Sequence, residues 1–313
     1  MVTMPVSTDA FRELVPGDRQ LTRLCTGFRF TEGPVWSGSG QFLLFSDIPA
    51  NTRYRWDENG GATVVKQPSH KCNGMTYEAD GSLLVCEHET SRVVRERADG
   101  SAEVVASHFQ GRQLNSPNDI VAAHDGTIYF TDPTYGRTAD FGRQREADLP
   151  FRGLYRLRPG SVEPELLDDT MGQPNGLCFA PGEAVLYVND TTGALIRAFD
   201  VNVDGSLGPG RVLCSEIGTG LPGGQNPDGM KCDDRGTIYV TGPGGIWVIS
   251  PDGSPQGVLP VPEKVGNLNW GGPDWRSLFI CASTSVYRIE LETRGNPLGY
   301  MTQPPREQAE ETA

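Results

Sequence analysis

The sequence predicts an all-β protein, a six-bladed β-propeller with four antiparallel strands per blade, and three observations predict it. One phrase, an Asn, Asp or Glu heading an apolar run that ends in a tight turn, recurs six times along the 313 residues. Each recurrence is followed by short runs with period-two alternation, rich in Val, Ile, Tyr and Phe and bounded by Asp-Gly or Pro-Gly turns, which is the pattern of strands rather than helices. The last recurrence lacks its final run, and an unmatched run of the right kind stands before the first.

The copies can be taken in chain order. Copy one is "EGPVWSGSGQFLLFSD" from Glu32, copy two "NGMTYEADGSLLVCE" from Asn73, and copies three to five begin at Asn118, Asn175 and Asp228. The sixth, "NLNWGGPDWRSLFICA" from Asn267, keeps only the Asn, the Pro-Asp turn and the apolar strand. Start-to-start spacings of 41, 45, 57, 53 and 39 residues suit a propeller repeat. Third runs follow in every copy ("TRYRWD", "RVVRERADG", "GLYRLRPG", "LIRAFDV", "GIWVISPDG", "VYRIELE"), and fourth runs in five ("ATVVKQ", "AEVVAS", "PELLDD", "GRVLCS", "QGVLPV"). The missing fourth strand of the last blade is expected to be "LTRLCTG", residues 21–27, which closes the ring and hides the sheet edges. The expected organisation is an N-terminal extension over 1–20, one propeller domain over 21–294, and a Pro-rich, polar, flexible tail over 295–313. No amphipathic helix is convincing. Trp36, Trp56, Trp247, Trp270 and Trp275 fall at repeat positions and are expected in the core.

Composition excludes several partners. With 27 basic against 40 acidic residues the net charge is -13, which repels nucleic-acid backbones and anionic membrane surfaces. No run reads as a membrane span or signal peptide, so a cytoplasmic location is expected. The seven cysteines are scattered, odd in number and never spaced C-x-x-C, which argues against a disulfide framework and a zinc site. Nothing in the sequence speaks to oligomeric state.

Chain direction places the six heading residues. If the first strand of each blade is innermost, Glu32, Asn73, Asn118, Asn175, Asp228 and Asn267 ring the central channel at one end. Asx turns alone would account for one such residue. They do not require an oxygen-bearing side chain in every copy, and Glu32 makes a poor Asx turn. Two carboxylates and several amide carbonyls converging on an axis suit a hard divalent cation, calcium first, with Zn2+, Mn2+ or Mg2+ as other candidates.

"FTEGPVW", "SPND", "QPNGL" and "NPDGM" resemble the ordered motifs of the senescence marker protein/gluconolactonase/luciferin-regenerating-enzyme-like family, and "FTDPTYG" resembles its bacterial gluconolactonase-like branch. The resemblance runs from about residue 21 to 294. It implies a metal-dependent lactonase acting on a sugar lactone such as gluconolactone or a related cyclic ester. It implies Glu32, Asn175 and Asp228 as ligands of the metal, and puts Asn118 where family members either coordinate metal or contact substrate. It also makes Asp228 the candidate catalytic base, in competition with a plain ligand role. Some members carry an Arg two residues before the "PND" Asn; here that position is Ser116, and Arg112 is the candidate to reach the same space. Tyr135, Asn73 and His88 complete the candidate substrate contacts. His88, at the ligand end of blade two, has a structural role as the competing reading, and His124 is expected to be merely exposed. His70 and His108 lie near the same face, but no Ser-His-Asp or Cys-His arrangement can be assembled. The insertion "PTYGRTADFGRQREADLPFRG" in blade three rises on the ligand face and reads as a lid. Two other classes compete with a lactonase: a phosphotriesterase of the diisopropyl fluorophosphatase type, and a non-catalytic calcium-binding propeller.

Overall fold

The inner strands are Thr31–Ser37, Cys72–Tyr77, Ile120–Ala122, Pro174–Phe179, Met230–Cys232 and Val265–Gly271, one for each copy of the repeated phrase. In the computed structural model, which describes residues 4–221 and 226–302, each of them begins a four-stranded antiparallel sheet. Strands follow one another outward in chain order in five sheets, so neighbouring strands join as hairpins, the one in blade three carrying the long insertion between Ile128–Asp132 and Gly153–Leu157. In the sixth, the strand beyond Ser285–Glu290 is Thr22–Thr26, paired through Arg23 with Tyr287 and Cys25 with Val286. The ring therefore closes as the sequence predicts, with the N-terminal strand outermost in the last blade.

Two repeated devices hold the inner strands. Asp47, Asp132 and Asp190 each end a second strand, and each accepts two backbone N–H bonds from the loop that enters the inner strand of its own blade. The donors are Arg29 and Phe30, then Asn115 and Ser116, then Gly172 and Gln173. These pairs lie three and two residues before Glu32, Asn118 and Asn175, so the acid sets where each heading residue enters the channel. One position earlier in the second strand, a polar side chain reaches the next blade. Ser46 bonds the carbonyl of Asn73, Thr131 that of Asn175, and Asn189 that of Asp228. Cys281 makes the weaker equivalent contact to the Glu32 carbonyl, which joins blade six to blade one.

Glycine follows four of the heading residues because the next blade passes so close. A Cβ on Gly33 would stand 1.8 Å from the Asn73 carbonyl oxygen, and one on Gly176 would stand 2.4 Å from that of Asp228. Apolar side chains fill the space between blades, and Trp36, Trp56, Trp247 and Trp270 are buried there, with Trp275 partly so. All seven cysteines are free, and all but Cys25 are buried.

Both termini depart from expectation. A short helix, Asp9–Leu14, is capped by the Thr8 side chain and buries Phe11 and Leu14 against the outer strand of blade five. Six residues gave too little periodicity to be read as a helix. The tail expected to be flexible is packed as far as residue 302. Asn296 bonds the backbone of Cys232 and Phe179, and Tyr300 is buried against Tyr77 and Trp275. Leu298, Tyr300 and Met301 thereby cover the channel mouth opposite the heading residues, and residues 303–313 lie outside the described part. No described helix is long and apolar enough to cross a membrane.

Candidate active site

Five of the six heading residues meet in one cavity of about 280 Å³ at one end of the channel. Glu32, Asn73, Asn118, Asn175 and Asp228 line it together with His88, Tyr135, Phe30, Ile48, Phe141, Thr191, Asn226 and Lys264. Asn267 is buried behind Glu32 and donates to its Oε2 at 3.0 Å, so it orients the acid rather than facing the cavity. The amides form a relay: Asn73 Nδ2 donates to Asn118 Oδ1, Asn118 Nδ2 to Asn175 Oδ1 at 2.6 Å, and Asn175 Nδ2 to Thr191 Oγ1 at 3.0 Å. Asp228 is anchored through its backbone, its N–H bonded to Thr241 Oγ1 at 2.8 Å and its carbonyl to Asn189.

The acids sit under electrostatic stress. Burial pushes Glu32 well above the usual carboxylate range, and the Asp228 charge adds to the shift. Burial also lifts Asp228, to about 7, with Lys264 and the Asn175 amide opposing and Asp119 adding. Asp119 lies deeper in the channel, 3.5 Å from Lys231. Burial raises the Tyr135 hydroxyl to about 12, so it stays a neutral donor beside Thr191 and Asn175.

Among the described residues no three His, Cys, Asp or Glu side chains cluster as a metal site. The donors present are two carboxylates with raised proton affinity, amide oxygens, and Asn73 Oδ1, which is buried without a protein partner. That all-oxygen set fits a hard divalent cation.

The other candidates divide. Tyr135 and His88 line the cavity, whereas Arg112 does not. Arg112 lies on a two-stranded ribbon, His108–Phe109 with Arg112–Gln113, that turns it outward, exposed, toward the Asp148 carbonyl. Ser116 is buried outside the cavity and spends its hydroxyl on Pro133 O and Gly136 N, fastening the start of the insertion. The insertion covers the cavity through Tyr135 and Phe141 and is tied down by Lys71, Arg137 and Arg145. His124 is exposed and pairs with Glu183, and His70 stands 3.8 Å from Glu89. Phe30, Ile48, Phe141, Thr191, Asn226 and Lys264 also line the cavity, beyond the residues expected there from the sequence. Ile48 and Thr191 were within reach, since both lie one residue past the end of a second strand, the register that His88 occupies in blade two.

The model of the SMP-30/gluconolactonase/LRE-like region matches residues 30–284. A gluconolactonase from Zymomonas mobilis is 31% identical over 294 residues, covering 87% of this chain and 81% of its own. The structure of a gluconolactonase from Xanthomonas campestris superposes with a TM-score of 0.84 at 30% identity, over 93% of this chain and 95% of that one. The calcium-binding protein regucalcin from Agrobacterium tumefaciens shares the fold, with a TM-score of 0.73 at 20% identity over 90% of this chain and 97% of its own.

Proposed function

Because the chain belongs to the SMP-30/gluconolactonase/LRE-like family, we propose that it is a hydrolase that opens a sugar lactone, or a related cyclic ester, to the hydroxy acid. The observation that carries this reading is the convergence of Glu32 and Asp228 with three asparagine amides in one cavity, beside a wall of Phe30, Ile48 and Phe141. Glu32, Asn118, Asn175 and Asp228 would hold a divalent cation, calcium by their all-oxygen chemistry, which when bound polarises the lactone carbonyl. Asp228 takes a proton from the attacking water as the water oxygen bonds to the carbonyl carbon. Collapse of the tetrahedral centre breaks the bond to the ring oxygen, and Asp228 returns the proton to that oxygen, so the product is the hydroxy acid. Glu32, held by Gly33 N and Asn267, would be ionised as a ligand of that cation and takes no proton in this sequence. Asn73 and Tyr135 face the substrate hydroxyls, and the insertion keeps bulk water off the reacting centre.

A substrate panel tests the assignment. With pH-indicator detection the protein is expected to hydrolyse gluconolactone well above the spontaneous rate and to leave an organophosphate triester intact. Turnover of the triester alone would make it a phosphotriesterase, and turnover of neither would leave a binding propeller.

A further inference from the structure

His88 is 1% exposed, and both of its ring nitrogens are engaged. Nδ1 lies 3.0 Å from the carbonyl oxygen of Phe141 in the blade-three insertion. Nε2 lies 3.3 Å from Asn73 Nδ2 and 3.1 Å from Asn118 Oδ1. A carbonyl oxygen can only accept, so a proton on Nδ1 satisfies Phe141 and leaves the Nε2 lone pair to accept from Asn73. That tautomer has one contact between acceptors, Nε2 with Asn118 Oδ1, and the Asn73 amide bridges it by donating to both. The opposite tautomer has two mismatches: Nδ1 against the Phe141 carbonyl, and Nε2–H against the Asn73 amide.

We infer that His88 is a positioning residue: the docked insertion fixes it as the Nδ1–H tautomer through the Phe141 carbonyl, and its Nε2 fixes the orientation of the Asn73, Asn118 and Asn175 amides. The direction of the relay follows. Asn73, donating to His88 and Asn118, turns its own Oδ1 away from both, and that oxygen is the unpaired one. Asn118 then has its oxygen toward Asn73 and its N–H toward Asn175, whose N–H goes on to Thr191 and from there to the Pro227 carbonyl at 2.7 Å. Flipping one amide would set oxygen against oxygen at the next step, so a single carbonyl in the lid decides which way three channel amides face. Packing holds the lid to this histidine, because a Cβ on Gly136 would come within 2.7 Å of His88 Cβ.

The inference rests on the lactonase reading only in its kinetic arm. Two-bond 1H–15N spectra of the full-length, chelator-treated protein, with His88 identified by the signals lost in His88→Gln, are expected to show a neutral Nδ1–H imidazole. An Nε2–H pattern or an averaged mixture overturns the inference. In the kinetic arm, His88→Gln can donate to Phe141 and accept from Asn73, so its kcat should stay within about threefold of the parent. His88→Phe keeps a ring but neither function and should lose about tenfold or more in kcat at an unchanged melting temperature. Equal losses in the two variants would reduce His88 to a packing residue. If the parent hydrolyses no lactone, the proposed function fails while the spectra still decide the tautomer.

Discussion

At the scale of single residues, Asp228 carries the most weight, since it is asked to be both ligand and base. Asp228→Asn keeps an oxygen for the cation and removes the basic carboxylate. At saturating calcium its kcat is expected to fall by about a hundredfold or more, the usual contribution of general-base catalysis. A near-parental rate with the site filled would leave Asp228 as a ligand only. The heading residues were legible because they repeat: an oxygen-bearing side chain in one register of six strands is a pattern that turns alone do not demand. Arg112 was misjudged because nothing in "HFQGRQLNSPN" announces a two-residue ribbon that points it away from the channel. Phe141 and Lys264 carry no register signal at all, as both reach the cavity from loops.

At the scale of elements, the repeated phrase has a mechanical explanation as well as a chemical one. In four copies a glycine admits the neighbouring blade, and in three an acid at the end of the second strand holds the entering loop while the residue before it bonds the next blade. Cys86 and Cys281 stand where other blades have Ser46, Thr131, Asn189 and Thr241, so these two cysteines occupy a repeat position in the core. Gly176→Ala forces a methyl to within 2.4 Å of the Asp228 carbonyl oxygen and 2.7 Å of Met230 N. Urea unfolding is expected to show a loss of about 1–3 kcal/mol, the usual cost of overpacking, together with impaired activity because Asp228 must move. Parental stability and activity in this variant would mean that blades four and five can separate at no cost.

At the scale of the whole molecule, closure and charge dominate. Removing residues 1–27 takes away the strand paired with Ser285–Glu290 and uncovers an edge, so that variant should aggregate or melt well below the parent. Removing residues 1–7 spares the Thr8 cap and the helix and should change the melting temperature little. Equal melting of the two would contradict closure by the N-terminal strand. The far mouth of the channel was not legible, because Leu298, Tyr300 and Met301 sit in a polar, Pro-rich context that gives no periodic signal. Propeller, blade boundaries and the cavity ring were legible because a repeated unit states its constraints six times over. If this ring of blades delivers its oxygens to one cation for lactone hydrolysis, gluconolactone turnover must follow free calcium. Turnover is expected to vanish in excess chelator and return saturably with calcium, with Glu32→Gln needing about tenfold more calcium or beyond because one of two charged ligands is gone. Full turnover in chelator, or a Glu32→Gln titration that overlays the parental one, would contradict the account.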